Sequence, residues 1–391
     1  MQEKLYKLID FLRENNEYYS KIFDKFRNRD LNWQEIPFLT RDQIYKYGLS
    51  GDKKLLSKNL KIGYIFSTGG TTGKPKYIAY TFEEFDLVCF YLAHCYEGIE
   101  PSDIVANLFM VGNMWASFIS VNKALEKKRC TILPIAGNTE YTLIKSYIQY
   151  FKPNCIVGLP TQIMQVLSID MNFVKKIYYG GEKFLESQIN FLKNMGCDFI
   201  RSGGYASVDA DIIAYQCKDL YYDQHHIFVD HQIVEIIDIN TEQVIFEYEK
   251  VGEIVVTNLD RYLCPVIRYR TGDLARWIKP KCNCNLPTIE LIGRYDDWIR
   301  LASYDFYYKD LADALYPYSV SLKVNRSQNV LTVLIKKDKS LKKLDEEEIL
   351  ERLKNSNWQL KEGIENNLIT VRVEYVEELP KTNKRVNVIY E

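Results

Sequence analysis

The chain lacks any long hydrophobic run, any internal repeat and any imbalance of charge. Across 391 residues, 51 Lys and Arg stand against 52 Asp and Glu, for a formal net charge of -1. A surface built mainly to bind a polyanion needs a basic excess, so nucleic acid is not an expected partner. No apolar stretch approaches the roughly 20 residues that a membrane span requires. The N-terminal segment MQEKLYKLIDFLRENNEYYSK is too charged for a cleavable leader and reads as one amphipathic helix, with Leu5, Leu8, Ile9 and Leu12 on one side. No Pro/Gly/Ser linker or low-complexity tract marks a boundary. A cytoplasmic location is expected, where the nine cysteines serve as thiols, ligands or packing residues and not as a disulfide framework.

What is present is the composition of a folded protein, 47% hydrophobic and 26% charged, long enough for two or more domains. Short apolar runs at Ile104 to Met110, Cys130 to Leu133, Cys155 to Leu159 and Ile177 to Tyr179 read as buried strands. Helical patterns alternate with them: Ile144, Tyr147, Ile148 and Phe151 share one face, and Leu185, Ile189 and Leu192 precede a stop at Gly196. This α/β alternation predicts a mostly parallel sheet flanked by helices, with ligands at the carboxyl ends of its strands. Strands at His231 to Ile237 and Glu253 to Thr257 predict a β subdomain at about 218–292. From about 297 to 391 the pattern becomes a small α+β domain, with alternation at Val320, Leu322 and Val324, and again from Val330 to Leu334. Asp345 caps a helix there, and Ile369 to Tyr375 forms a further strand.

Ser67-Thr68-Gly69-Gly70-Thr71-Thr72-Gly73-Lys74-Pro75-Lys76 follows the strand candidate Tyr64 to Phe66. Its glycines let backbone N–H groups converge on anionic oxygens, and the Ser and Thr hydroxyls add donors. A Walker-type loop is excluded by Thr68, where it needs glycine, and by Pro75 after Lys74. A phosphate cradle and a plain hairpin remain as readings of spacing alone.

The string STGGTTGKPK resembles the signature loop of the acyl-adenylate-forming superfamily, which includes acyl-coenzyme A synthetases, peptide-synthetase adenylation domains and luciferases. Three further segments follow in the same order. Gly204-Tyr205-Ala206-Ser207-Val208-Asp209 is similar to the aromatic-Gly-x-Thr-Glu motif, Tyr269-Arg270-Thr271-Gly272-Asp273-Leu274 to Tyr-Arg-Thr-Gly-Asp-Leu, and Gly293-Arg294-Tyr295-Asp296-Asp297 to the Gly-Arg-x-Asp hinge. Pro134 to Glu140, Gly180-Gly181-Glu182 and Val234 to Asp238 resemble the phenylacetate:coenzyme A ligase branch.

The resemblance implies ATP and Mg2+ as cofactors and a carboxylic acid as substrate. It assigns ATP to Ser67, Thr68, Gly69, Gly70, Thr71, Thr72, Gly73 and Lys74, with Gly204, Tyr205, Ala206, Ser207, Asp273 and Arg294 around the nucleoside. Tyr205 would stack on adenine, Asp273 would accept from the ribose hydroxyls, and Asp209, in place of the family's Glu, would hold magnesium. Thr71, Asp209 and Lys384 carry the chemical step; a cation is needed where one anion attacks another. Lys381 remains an alternative to Lys384, because Asn383 replaces the usual preceding glycine. Asn113, Met114, Trp115, Phe118, Gly180, Gly181, Ser202 and Gly203 would line the acid pocket, whose residue types suit an aromatic or medium-sized apolar acid; periodicity alone reads the same stripe as core packing. The domains would be 1–296 and 297–391, the second turning about Asp296.

Cys282-Asn283-Cys284, with Cys217 and the pair His225-His226 upstream, supplies the four N/S ligands of a closed zinc site. The resemblance selects His226, giving a structural Zn2+ on Cys217, His226, Cys282 and Cys284. Coenzyme A is the expected acyl acceptor, and Ser303, where the family has glycine, keeps an amine or a carrier-protein thiol as alternatives. A reading from another class is a degenerate homologue that binds a nucleotide and regulates, supported by Asp209, Ser303 and Asn383.

Overall fold

The structure is a computed structural model that describes residues 2–26, 31–67, 76–168, 170–184, 186–221, 223–295, 298–302, 304–325, 327–380 and 387–390. Two compact units emerge. Among the described residues, the larger runs to Ile292 apart from Phe184–Asn190, and the smaller comprises that segment and the chain from Gly293.

The N-terminal segment differs from the expected single helix. Helix α1 (Gln2–Asn15) stops at Asn16, whose extended backbone starts α2 (Glu17–Phe23) and whose side chain accepts the Tyr19 N–H. The Asn16 amide also donates to Leu55 O at 2.9 Å and Ser57 Oγ at 3.1 Å. A short polar side chain that satisfies backbone groups competes with helix continuation, which periodicity does not register.

Strands β1 (Tyr64–Ser67) and β2 (Tyr77–Tyr80) form an antiparallel hairpin with Ser67 opposite Tyr77. The glycine-rich loop therefore spans a hairpin whose two ends are paired.

Next comes the parallel sheet: β3 (Ile104–Leu108), β4 (Thr131–Leu133), β5 (Cys155–Gly158), β6 (Lys176–Tyr179) and β7 (Phe199–Ser202), in the order β4-β3-β5-β6-β7. Helices Ser117–Lys128, Tyr141–Phe151, Pro160–Val166 and Glu186–Asn194 alternate with its strands, as expected. The four residues of β5 are all buried, which explains its unbroken apolar run. Helix Tyr141–Phe151 turns Ile144 and Ile148 inward, two positions of its helical stripe. The chain winds outward in both directions from the β3/β5 boundary, so the crevice at that switch point is the natural ligand position.

An antiparallel region follows: β8 (Tyr205–Ser207), β9 (Asp211–Tyr215), β10 (Gln224–Ile227), β11 (Gln232–Ile237), β12 (Val251–Asn258), β13 (Tyr269–Ile278) and β14 (Thr288–Arg294). Their order in one sheet is β11-β12-β13-β14-β10-β9-β8. The sheet starts at Tyr205, ahead of the expected 218. Thr271-Gly272-Asp273, which in isolation reads as a turn, lies inside the ten-residue β13, with Gly272 alone at φ +76°. A buried cluster joins Leu8, Leu12 and Phe23 to Phe66, Phe85, Ile254 and Tyr269, tying the first helices and the hairpin to this sheet.

In the smaller unit, β15 (Trp298–Leu301) pairs with β16 (Tyr304–Tyr307). Strands β17 (Val320–Asn325), β18 (Val330–Lys336), β19 (Thr370–Val376) and β20 (Val388–Tyr390) form a sheet ordered β19-β18-β17-β20. Asp345 caps helix Glu346–Ser356 by accepting the Glu348 N–H at 2.8 Å. Leu322, Val324, Ile349, Leu353 and Leu360 are fully buried in its own core. Among the described residues, no helix is long and apolar enough to cross a membrane.

Candidate active site and metal cluster

Three of the sequence motifs converge on one carboxylate. Asp209 lies in the turn between β8 and β9, and its Oδ2 accepts from Lys76 Nζ at 2.5 Å and from the Tyr269 hydroxyl at 2.7 Å. Lys76 closes the glycine-rich loop and Tyr269 opens the YRTGDL strand, so groups 133 and 60 residues away meet at Asp209. Asp209 Oδ1 is buried and makes no hydrogen bond among the described residues. A buried carboxylate oxygen without a donor is costly, and a hard cation is the partner it suits.

Beside it, the Tyr205 hydroxyl donates to Asp273 Oδ2 at 2.7 Å. The bond fixes the ring assigned to adenine and the carboxylate assigned to ribose relative to one another. Asp273 N–H donates to Thr271 Oγ1 at 3.1 Å, and that hydroxyl donates to Ile254 O at 3.0 Å. Ala206 is exposed, and Ser207 Oγ accepts the Ala210 N–H at 3.0 Å, shaping the turn toward Asp209. Arg294 ends β14 with its side chain exposed. The expected phosphate donors Thr68, Gly69, Gly70, Thr71, Thr72, Gly73 and Lys74 lie outside the described residues, as do Asp296, Ser303, Lys381 and Lys384.

The proposed acid-lining segments all follow strand ends. After β3, Asn113 and Met114 adopt left-handed backbone at φ +48° and +59°, and Met114 O accepts the Ser67 N–H at 2.9 Å, linking this segment to the hairpin. Asn138 holds the same segment through Val111, accepting its N–H and donating to its carbonyl, both at 3.1 Å. Met114 is exposed, Trp115 is half-buried, and Phe118 packs partly against the core that includes Tyr96 and Phe109. Gly180 and Gly181 follow β6; a Cβ on Gly180 would meet Phe109 at 3.5 Å. Ser202, the last residue of β7, is buried, and the Gly203 N–H after it donates to Tyr179 O at 2.7 Å.

Sequence reasoning missed a buried polar cluster behind the Asp209 turn. Asp211 stands at φ +68° and pairs with Arg261 at 2.6 Å, both side chains fully buried. Asp211 also accepts from the Tyr80 hydroxyl at 2.5 Å and from Asn258 Nδ2 at 3.0 Å, while the Arg261 guanidinium lies 3.9 Å from the Tyr80 ring centre. Burial pushes the Tyr80 phenol well above its usual range, so it remains a donor. No motif announces these residues, because their partners lie 47, 50 and 131 positions away.

The four metal-ligand candidates do come together: the donor atoms of Cys217, His226, Cys282 and Cys284 lie within 4.8 Å of one another. His226 Nε2 is 3.1 Å from Cys282 Sγ. Its Nδ1 is 2.8 Å from Thr288 Oγ1, whose own proton goes to Leu286 O. Thr288 therefore accepts from Nδ1–H, and Nε2 is left with a lone pair facing the sulfurs. That is the tautomer a ligand needs. Tetrahedral bonds of about 2.0 Å to nitrogen and 2.3 Å to sulfur put ligands roughly 3.5–3.8 Å apart, so this set of three sulfurs and one nitrogen fits a zinc ion. Desolvation, opposed by a backbone hydrogen bond from Asp219 and assisted by the Cys282 sulfur, raises the Cys217 thiol in the metal-free state. His225, the neighbour that was passed over, faces away from the cluster, with burial pushing it down to about 4.

No family model matches the chain. It is 28% identical over 306 residues to the phenylacetate-coenzyme A ligase of Aromatoleum evansii, covering 73% of this chain and 68% of that protein. The phenylacetate-coenzyme A ligase of Thermus thermophilus is 22% identical over 333 residues, covering 78% and 72%. A solved 2-hydroxyisobutyryl-CoA ligase, in a postadenylation state with its acyl-AMP, shares the fold at a TM-score of 0.80, with 16% identity over 100% of this chain and 88% of that one. ATP-bound MatB of Rhodopseudomonas palustris gives 0.62, with 14% identity over 83% and 66%. The chain is thus similar in sequence to phenylacetate-coenzyme A ligases and shares its fold with solved CoA ligases.

Proposed function

We propose that the chain is an acyl-adenylate-forming enzyme that activates a carboxylic acid with ATP and passes the acyl group to coenzyme A. The observation that carries the reading is the meeting of Lys76 and Tyr269 at Asp209 Oδ2, beside a buried Oδ1 with no donor among the described residues. In the first step the substrate carboxylate attacks the α-phosphorus of ATP, the bond to the bridging oxygen breaks, and pyrophosphate leaves. In the second, the coenzyme A thiolate attacks the acyl carbon and AMP leaves. Tyr205 and Asp273 orient the nucleoside, the Ser67 to Lys74 loop holds the phosphates, and Asp209 Oδ1 would hold Mg2+. The ion's contribution is neutralisation of the triphosphate charge. Lys384, with Lys381 as its alternative, supplies the ammonium at the reacting carboxylate, carried by a small C-terminal domain that turns about Asp296 between the two steps.

Asn113, Met114, Trp115, Phe118, Gly180, Gly181, Ser202 and Gly203 line an acid pocket suited to an aromatic or medium-sized apolar acid, phenylacetate being the first to try. Cys217, His226, Cys282 and Cys284 hold a structural Zn2+, since four protein ligands leave no open position for catalysis. The test is ATP–pyrophosphate exchange over aromatic and aliphatic acids, followed by product analysis with coenzyme A. Acid-dependent exchange and a thioester product support the reading, and Lys384→Ala then lowers exchange by about two to three orders of magnitude. ATP binding without exchange for any acid favours the regulatory homologue instead.

A further inference from the structure

Two neighbouring pairs of residues look in opposite directions from the same stretch of sheet. Gln216-Cys217 follow β9, and His225-His226 lie on β10, where successive side chains point to opposite faces. On one side, Cys217 and His226 join Cys282 and Cys284. On the other, Gln216 and His225 both reach Ser202. Gln216 Oε1 accepts the Ser202 N–H at 3.0 Å, and His225 Nε2 lies 2.9 Å from Ser202 Oγ.

The direction of these bonds follows from one backbone carbonyl. His225 Nδ1 is 2.9 Å from Asp223 O, which can only accept, so Nδ1 carries the proton and Nε2 accepts. The Ser202 hydroxyl therefore donates to His225, and its oxygen accepts the Gly204 N–H at 3.1 Å. Gly204 stands at φ +100°, with room for no side chain: a Cβ would fall 2.7 Å from both Cys95 Sγ and Ile212 Cδ1. The segment from Ser202 to Gly204, between the acid and adenine residues, is thus held from behind by side chains one residue away from two metal ligands.

We propose that His225 and Gln216 are positioning residues for the Ser202-Gly203-Gly204 segment, and that the Cys217/His226/Cys282/Cys284 cluster acts on the active site by fixing the strands that carry them. The claim that this affects catalysis rests on the reading of Ser202 and Gly203 as acid-pocket residues. The claim about the backbone does not.

The experiment measures amide hydrogen exchange at Gly203 and Gly204 in the full chain, with KM for the acid and for ATP from pyrophosphate exchange. His225→Phe keeps the bulk and removes the acceptor. It should speed exchange at Gly204 about tenfold and raise the acid KM by a similar factor, with a smaller change in kcat. His225→Gln, which restores an acceptor, should recover most of both effects. Removing the metal with a chelator should speed exchange at the same two amides about tenfold while the distant core strand β5 stays protected. If His225→Phe does not fold, Gln216→Leu removes the other side chain that holds Ser202 and leaves the Gly204 acceptor in place. Wild-type protection at Gly204 in either variant overturns the positioning role, and wild-type protection in the metal-free protein overturns the link to the cluster. If no acid supports exchange in the parent protein, the functional reading has failed, while the amide measurements still decide the positioning.

Discussion

Asp209, in the turn before β9, and Asp211, the first residue of that strand, stand two residues apart, and the protein surrounds their carboxylates differently. Asp211 is closed: Arg261, Tyr80 and Asn258 occupy both its oxygens, and its side chain is 1% exposed. Asp209 is half open: Lys76 and Tyr269 share Oδ2, while Oδ1 is buried with no donor among the described residues. Full satisfaction suits a group that holds the fold in one arrangement, whereas Asp209 keeps an acceptor that the proposed Mg2+ would occupy. The contrast recurs within a single ring, since Thr288 occupies His226 Nδ1 and leaves Nε2 facing three sulfurs.

The largest effect should come from breaking the closed pair. Arg261→Ala leaves Asp211 charged and buried, and should cost about 3–5 kcal/mol in denaturant unfolding. Arg261→Met combined with Asp211→Asn removes both charges and should recover most of that loss. Next, Asp209→Asn should slow pyrophosphate exchange about a hundredfold, about 2.7 kcal/mol in barrier, and also destabilise by removing the counter-ion of Lys76. Lys76→Met with Asp209→Asn should restore stability without restoring rate; a double variant that regained exchange would erase the distinction between the two carboxylates. Tyr80→Phe removes one donor from a charged acceptor that keeps its other partners, and should cost about 2 kcal/mol in unfolding. The smallest effect is Thr288→Val, which releases Nδ1 and should weaken metal affinity about tenfold in competition with a chromophoric chelator.

The groups that sit in recognisable motifs were legible in the sequence and those of the buried Asp211 cluster were not. Asp209, Tyr205 and Asp273 belong to segments with recognisable spacing, and Cys282-x-Cys284 announces itself within three residues. The parallel sheet was also readable, because buried strands such as β5 are continuous apolar runs between amphipathic helices. Arg261, Asp211 and Asn258 carry no local signal: each reads as an ordinary polar residue until tertiary contacts bring them together. Gln216 and His225 were equally silent, His225 being visible only as the less favoured of two adjacent histidines. Asn16 shows the same limit at short range, since the helical stripe runs past it and only its bonds to Leu55 and Ser57 account for the break.

The adjacency of the two histidines makes the numbering of β10 against its neighbours consequential. His226 lies opposite Thr288 on one side and Tyr215 on the other. Sliding the strand by one residue would carry His226 into the place of His225, toward Ser202, and put Ile227 among the cysteines. An insertion in the connection between Cys217 and Gln224 could be absorbed as extra loop, whereas one inside β10 would trade the two rings' duties and lose both. The strand thus works as an index mark: a single alignment of the backbone assigns one imidazole to the cysteines and the other to Ser202.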